Sequence, residues 1–210
     1  MNICHIMGAG DPAGARIDAQ PGDIIIAADA GYLELARRGI RPDLVVGDFD
    51  SLGDPPADVE ILRYPPMKDD TDMLIAVRAG LARGFARFLL YGALGGRIDH
   101  TLANLQTLLF IAEQGARGAL VGADESVAAV RNGEIAFPAH ARGTISVFCM
   151  GEAAKGVTLE GLLFPLENHT LNPSYPIGVS NAFTDAPARV RVREGALLVV
   201  FPTAAMPSIR

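Results

Sequence analysis

Two aspartates frame one phenylalanine in the segment Gly47-Asp48-Phe49-Asp50-Ser51, which directly follows the apolar run at 44–46. Side chains at positions i and i+2 of an extended strand lie on the same face, so both carboxylates would leave the strand end together. Two anions held that close repel each other unless a cation lies between them, and a divalent metal ion is the simplest such cation. The ordinary alternative is a turn at Asp50 and an ion pair made by Asp48.

Further acidic residues occur where other predicted elements begin or end. Asp29 follows the predicted strand 24–28, and the run Lys-Asp-Asp-Thr-Asp at 68–72 opens a predicted helix. Aspartate and threonine commonly cap helices, so capping stays open as the role of Asp29 and of Thr71. For Asp72 we favour a functional role, because three aspartates exceed what capping requires. Lys68 beside them suits a site for a phosphate and its metal.

A glycine-rich segment, residues 92–100, lies between a predicted strand and a predicted helix. Glycines allow close backbone approach, and the N-terminus of the following helix presents free N–H groups to an anion. Arg97 could hold phosphate oxygens with two donors. The alternative is that Gly95 and Gly96 make a tight turn and that Asp99 caps the helix.

Aspartates from several strand ends would concentrate negative charge at one edge of a sheet, and a fold would not assemble that charge without cations. The oxygen ligands indicate Mg²⁺, held by one or two carboxylates, by waters and by the phosphates of a nucleotide. The sequence therefore predicts a magnesium site that binds a polyphosphate. The aspartates concerned are Asp29, Asp48, Asp50, Asp72 and Asp99.

Apolar runs and helical patterns alternate up to about residue 130, which predicts a parallel sheet covered by helices on both faces. Ligands bind beyond the carboxyl ends of the strands in such sheets. The predicted strands are 3–7, 24–28, 44–46, 87–91 and 119–121, and the predicted helices are 32–38, 71–83 and 101–114.

Beyond residue 132 the helical period disappears and glycine and proline recur between short runs. Polar and apolar residues alternate over 189–193, and Gly195 separates them from the apolar run 197–201, which predicts a β-hairpin. The chain is therefore predicted to be an α/β protein with two domains. Residues 1–131 would form a nucleotide-binding α/β domain, and residues 132–210 a small all-β sandwich or barrel.

Composition excludes several classes of partner. The 210 residues contain 18 Lys and Arg against 24 Asp and Glu, a net charge of −6, which argues against a nucleic-acid or anionic-membrane surface. The two cysteines are far apart in sequence, so neither a disulfide framework nor a zinc site is predicted, and a cytoplasmic location is the default. We expect no signal peptide and no membrane span.

Several segments together resemble the thiamine pyrophosphokinase family. They are ADAGYLELARRGIRPDLVVGDFDS, KDDTD and GALGGRIDHTLANL, followed by GLLFPLENHTL and GVSNAF in the second half. The resemblance implies a homodimer with an α/β nucleotide domain and a β-sandwich. It also implies magnesium-dependent transfer of the pyrophosphoryl group of ATP to the hydroxyl of thiamine, which gives thiamine diphosphate and AMP.

The resemblance also implies roles for individual residues. Asp48, Asp50 and Asp72 would hold the metal, and Ser180 and Asn181 would line the thiamine site near the dimer interface. The sequence departs from the family in having Ala30 where a glycine is usual and in lacking tryptophan, so Phe183, Tyr175 or an aliphatic residue would pack on the thiamine rings. The other residues of the active cleft would be Asp29, Lys68, Thr71, Gly95, Gly96, Arg97 and Asp99.

Other functions remain open on the residues alone. The same site would serve a pyrophosphokinase that acts on another hydroxymethyl heterocycle, such as a pterin. It would also serve a metal-dependent phosphatase in which Asp48 is the nucleophile and Asp50 the acid. A nucleotide-sensing module without catalysis is a third reading, although the acidic set and Lys68 exceed what sensing needs.

Overall fold

A computed structural model describes residues 2–12, 14–47, 59–65 and 69–207 of the chain. The chain has a mixed α/β fold that divides into two compact units, which share one helix and one strand. Unit 1 comprises Met1–Thr107 and Leu120–Ala123, and unit 2 comprises Leu108–Ala119 and Asp124–Arg210. The predicted site residues Asp48, Asp50 and Lys68 lie outside the described residues.

Unit 1 contains a parallel sheet in the order β5-β1-β2-β3-β4. The first and third of these strands in chain order are buried along their whole length, as expected for a sheet with helices on both faces. The sequence did not predict β4, a short strand with only two apolar residues. The strands are β1 Cys4–Met7, β2 Ile24–Ala28, β3 Leu44–Gly47, β4 Glu60–Arg63 and β5 Arg87–Tyr91.

The helices are α1 Gly31–Arg37, α2 Asp72–Ala82 and α3 Ile98–Glu113. Helix α2 packs closely on the sheet at Gly80, where a Cβ atom would lie 2.7 Å from the Phe88 ring and 2.8 Å from the sulfur of Cys4. Helix α3 begins at Ile98, three residues before the predicted start. Within the described ranges, no helix is long and apolar enough to cross a lipid bilayer.

A buried polar network fixes the end of β5. His5 is 2% exposed, and its Nδ1 lies 3.1 Å from the hydroxyl of Tyr91. Its Nε2 lies 3.3 Å from the carboxylate of Asp23, which also accepts the backbone N–H of Ile3. Burial lowers the pKa of His5 and raises that of Tyr91, so both are held neutral. The network anchors the last residue of β5, from which the glycine-rich segment leaves.

Unit 2 is built from antiparallel strands in the order β7-β11-β8-β10, with β9 paired to β8. Its core includes the ring of Phe137, whose centroid lies 5.1 Å from those of Phe183 and Phe201. These strands follow β6 Arg117–Val121, which both units share. They are β7 Glu125–Phe137, β8 Thr144–Glu160, β9 Leu166–Leu171, β10 Asn181–Ala182 and β11 Ala188–Pro202, and a 3-10 turn, Thr203–Ala205, follows.

The predicted hairpin around Gly195 is wrong, because both of its arms belong to the single strand β11. Three residues of β11, 193–195, lie opposite the single residue Asn132 of β7 and form a β-bulge. The regular pairs on either side are Val192–Gly133 and Ala196–Arg131. The N–H of Gly195 donates to the side-chain oxygen of Asn132 at 2.9 Å. With a φ of 106°, Gly195 adopts a conformation that serves a bulge as well as a turn, so the residue type alone did not separate the two.

The start of α1 explains why the departure at Ala30 is tolerated. Ala30 has φ −60° and ψ −8°, an ordinary right-handed conformation that needs no glycine. Gly31 is different, because a Cβ atom there would lie 2.0 Å from the carbonyl oxygen of Met7. The glycine therefore lets α1 begin in contact with the end of β1.

We expect Gly31→Ala to destabilise the protein by several kcal/mol, because the added methyl group overlaps backbone that the sheet holds in place. The matched variant Ala30→Gly should change stability by about 1 kcal/mol or less. Urea unfolding of the two variants and the wild type measures both effects. Equal stability of Gly31→Ala and wild type would contradict the tight packing of α1 on β1.

Candidate active site

A cleft of about 420 Å³ lies in unit 1, where the segments that follow β1, β2 and β5 meet the first turns of α2 and α3. This is the edge at which the sequence predicted ligand binding. Of the predicted site residues, those that line the cleft are Asp29, Thr71, Asp72, Gly95, Gly96 and Arg97.

One wall of the cleft is formed by two backbone segments in direct contact. The N–H of Gly8 donates to the carbonyl of Tyr91 at 2.8 Å, and the N–H of Gly10 donates to that of Gly92 at 3.1 Å. A Cβ atom on Gly10 would lie 2.5 Å from the Gly92 oxygen, and Gly92 itself has a φ of 60°. Glycines are needed here because any side chain would separate the loops that follow β1 and β5.

Asp29 occupies the next strand end. Its φ of 48° is unusual for a residue with a side chain, although aspartate tolerates it better than most. Its N–H donates to the carbonyl of Val46 at 2.7 Å, and its carbonyl accepts the N–H of Tyr32 as α1 begins. Gly47, the residue that precedes Asp48 in sequence, packs against the Asp29 backbone. Asp29 is therefore fixed between β3 and α1 at the rim of the cleft.

The N-terminus of α2 supplies Thr71 and Asp72. The hydroxyl of Thr71 accepts the N–H of Leu74 at 3.2 Å, so the capping role left open for Thr71 is present. Asp72 lies in the first turn, where a carboxylate is stabilised by the helix dipole, and it also lines the cleft. Asp70 instead pairs with Arg78 at 3.0 Å and does not line the cleft.

Arg97 and Asp99 form a forked ion pair. The two Arg97 nitrogens lie 2.6 and 3.2 Å from the two Asp99 oxygens, and the N–H of His100 donates to the same carboxylate. The hydrogen bonds with Asp99 raise the pKa of Arg97, and those with Arg97 lower the pKa of Asp99. Both side chains are exposed, and only that of Arg97 lines the cleft. Asp99 therefore orients the guanidinium.

The turn between β5 and α3 is held in an open form. Gly95 and Gly96 have φ values of 78° and 66°, and nothing lies within 4 Å of the position that a Cβ atom would take at either residue. The hydroxyl of Thr101 lies 3.3 Å from the carbonyl oxygens of Gly95 and Arg97, which fixes the turn to the helix. The backbone of Gly95 and Gly96 is thus accessible to a ligand in the cleft.

The donors in the cleft fit Mg²⁺ in kind. Asp29 and Asp72 supply carboxylate oxygens, and Mg²⁺ usually takes only one or two carboxylates together with substrate phosphates and waters. Among the residues that the structure describes, no three His, Cys, Asp or Glu side chains are grouped as metal ligands. Of the predicted ligands only Asp72 is described, and the assignment of Asp48 and Asp50 stays a prediction.

The two predicted thiamine-site residues belong to unit 2 and differ in accessibility. Ser180 is exposed, with a φ of 59°, and its N–H donates to the Ser146 hydroxyl. Asn181 is buried, and its carboxamide bonds the N–H and the carbonyl of Phe164 at 2.9 and 2.7 Å. Any effect of Asn181 on a ligand would therefore act through the backbone that it positions.

The sequence analysis missed part of the cleft. His100, Ala103 and Asn104 line it from one face of α3, and Met73 lines it from α2. The i, i+3 and i+4 spacing of the three α3 residues is the signal that could have found them once Arg97 was placed.

Comparison with known proteins agrees with the geometry. A family model described as the thiamin pyrophosphokinase catalytic domain matches residues 19–117, and one described as the thiamin pyrophosphokinase vitamin B1 binding domain matches residues 134–197. The thiamine pyrophosphokinase of Bacillus subtilis (strain 168) is 25% identical over 185 residues, which is 85% of this chain and 86% of that protein.

Solved structures carry the same family name. A crystal structure of thiamine pyrophosphokinase from Bacillus subtilis has a TM-score of 0.84 at 24% identity, over 97% of this chain and 99% of that one. A crystal structure of thiamin pyrophosphokinase from Geobacillus thermodenitrificans has a TM-score of 0.81 at 26% identity, over 97% and 100%. The two family models together span most of the sequence, and the chain is an enzyme that belongs to the thiamine pyrophosphokinase family.

Proposed function

We propose that the protein transfers the pyrophosphoryl group of ATP to the hydroxyl of thiamine, with Mg²⁺, and releases AMP. Residues 1–131 would form the ATP-binding domain, and residues 132–210 a β-sandwich that binds thiamine. One observation carries the proposal: Asp29, Asp72 and Arg97 line a single cleft at the carboxyl edge of a parallel sheet. That cleft lies mainly in the segment that the catalytic-domain model matches.

The reaction is a displacement at phosphorus. The hydroxyl oxygen of thiamine attacks the β-phosphorus of ATP, and the bond from that phosphorus to the oxygen bridging to the α-phosphate breaks. AMP leaves with the electron pair, and the hydroxyl proton passes to a base. Transition states of this kind are loose, so positioning and charge stabilisation supply most of the rate.

Arg97 has the geometry to stabilise the charge that develops on the phosphates. Its guanidinium is always protonated, and the ion pair with Asp99 fixes its orientation at the rim of the cleft. Beside it, the N-terminus of α3 and the backbone of Gly95 and Gly96 present N–H groups at the same rim. Charge that forms on the leaving AMP or on the moving group would meet these donors.

The carboxylates divide between two tasks. Asp72, with Asp48 and Asp50 from the sequence prediction, would hold Mg²⁺, which would supply positive charge to offset the negative charge of the polyphosphate. Asp99 instead orients Arg97 through their ion pair. The same ion pair lowers the pKa of Asp99, so Asp99 is poorly suited to accept the hydroxyl proton.

Unit 2 offers an accessible surface for thiamine. The Ser180 hydroxyl is exposed, and Tyr175 is 65% exposed, so both side chains can contact a ligand. Phe183, the other aromatic candidate, is packed against Phe137 in the core and is not available. We assign Tyr175 as the aromatic side chain that packs on a thiamine ring and Ser180 as a second contact of the ligand.

An exposed apolar patch in unit 2 supports the homodimer that the family resemblance implies. Asn181 joins the two segments that carry the patch, since its carboxamide bonds Phe164 while Ile177 and Val179 lie just before it in the chain. Apolar clusters of this kind mark interaction surfaces. The patch consists of Leu163, Phe164, Tyr175, Ile177 and Val179.

The transfer reaction is tested by its products. With ATP, thiamine and Mg²⁺, the wild type should release AMP and thiamine diphosphate in equal amounts, measured by chromatography. Asp72→Asn should lower kcat by about 100-fold or more, because charge at the phosphate site is lost. Asp70→Asn is the matched control and should stay near wild type, since Asp70 pairs with Arg78. Release of ADP would contradict the reaction, and an unimpaired Asp72→Asn would remove Asp72 from it.

The oligomeric state is tested by measuring the molecular mass of the protein in sedimentation experiments. The wild type should sediment as a dimer, and Phe164→Ser should shift the population toward monomer, because a 62% exposed ring at the patch is replaced by a polar group. Leu33→Ser changes an exposed apolar residue of unit 1 and should leave the dimer intact. A monomeric wild type at micromolar concentration would refute the proposal.

A further inference from the structure

The wall of the cleft contains a buried carboxamide that no step of the proposed reaction uses. Asn104, on α3, is 8% exposed and lines the cleft. Its Nδ2 donates to the backbone carbonyl of Ala93 at 2.8 Å. A carbonyl can only accept, so this contact determines which end of the amide is nitrogen and leaves Oδ1 as the free end.

The Oδ1 atom of Asn104 has no hydrogen-bond partner in the described part of the chain. Among the described residues Oδ1 is not one of the fully buried atoms without a partner, so it is open to the cleft, where an N–H or O–H group of a ligand can reach it. Because Nδ2 is tied to Ala93, the amide cannot turn to offer a donor instead. Oδ1 itself can only accept, so this end of the amide favours a ligand donor.

The surroundings of Asn104 suit a flat apolar ring. Ala93, Ala103 and Met73 line the same cleft, and Gly8 and Gly92 keep its backbone wall free of side chains. An aromatic heterocycle fits against small apolar groups, with its polar edge turned toward the amide. An amino group attached to such a ring would supply the missing donor.

The position of Asn104 along α3 sets its distance from the end of the cleft at which the phosphates would bind. Asn104 lies six residues beyond Ile98, at which α3 begins, and a rise of 1.5 Å per residue makes that roughly 9 Å. A nucleotide with its phosphates at Gly95–Arg97 can therefore extend its base along the helix to Asn104.

We propose that Asn104 is a specificity-determining residue whose Oδ1 accepts a hydrogen bond from the amino group of an aminopyrimidine ring, that of the adenine in ATP. The inference rests on the proposed function. Thiamine also carries an aminopyrimidine ring, but Asn104 lies in the segment matched by the catalytic-domain model, whereas Ser180 lies in the segment matched by the vitamin B1 binding model. Adenine is therefore the partner to which the proposal commits.

Calorimetric titration without thiamine tests the assignment. ATP and purine riboside 5′-triphosphate, in which hydrogen replaces the amino group, are compared in the presence of Mg²⁺. The wild type should bind ATP about fivefold more tightly, as expected for one neutral hydrogen bond. In Asn104→Ala the two affinities should agree within about twofold, because the acceptor is gone.

Thr107→Ala is the matched control. Thr107 is buried on the same helix and its hydroxyl donates to the Ala103 carbonyl at 3.0 Å, but it does not line the cleft. This variant should keep the wild-type preference for ATP. Circular dichroism establishes whether each variant is folded, and a wild-type ratio near one overturns the proposal even if Asn104→Ala does not fold.

Three results would overturn the proposal. A wild-type ratio of ATP affinity to purine riboside 5′-triphosphate affinity near one would show that the protein does not recognise the amino group. An unchanged preference in Asn104→Ala, with both affinities reduced equally, would leave Asn104 only as a support for Ala93. A preference between thiamine and oxythiamine that Asn104→Ala abolishes would assign the amide to the thiamine ring. If the protein formed no AMP, the proposed transfer reaction would be refuted, whereas the ratio of the two nucleotide affinities would still test the role of Asn104.

Discussion

The cleft depends on the direct contact of backbone between segments that follow neighbouring strands. Gly8, Gly10 and Gly92 touch through their peptide groups, and Gly31 lies against the carbonyl of Met7. A methyl group at Gly10, Gly31 or Gly92 would overlap another backbone segment, and a Cβ atom at Gly8 would lie 2.7 Å from the Met73 side chain and 3.1 Å from the Gly92 oxygen. Because β1 is central in the parallel sheet of unit 1, this contact brings the ends of β2 and β5 to the same place. The polar side chains of the cleft are carried on the segments so joined.

The second constraint is charge. The residues that line the cleft include two aspartates, Asp29 and Asp72. Among the described residues, Arg97 is the one arginine that lines it, and Arg97 forms an ion pair with Asp99. Carboxylates repel a polyphosphate, and a Mg²⁺ ion bound with the nucleotide would offset that repulsion. Binding of a nucleotide together with its metal is thus the arrangement that balances the site. It also explains how a protein of net charge −6 can bind an anionic substrate.

Much of unit 1 could be predicted because its signals are local. Buried runs such as Leu44–Gly47 and the apolar period of α2 identify parallel strands and helices, and polar residues at strand ends indicate the cleft. The bulge at Gly195 was misread as a turn, because the difference depends on which residues lie opposite it in β7. The pairing of Arg97 with Asp99 and the single hydrogen bond of Asn104 depend on three-dimensional positions that no periodicity encodes.

The central claim, that the cleft of unit 1 binds the metal-bound polyphosphate, is tested most directly by a crystal structure with an ATP analogue. The analogue should carry a methylene group in place of the oxygen between the α- and β-phosphates, so that transfer cannot occur. We predict the phosphates between Asp72 and Arg97, with a magnesium ion on Asp72. A nucleotide bound instead in the groove of unit 2 lined by Arg117 and Arg131 would contradict the account.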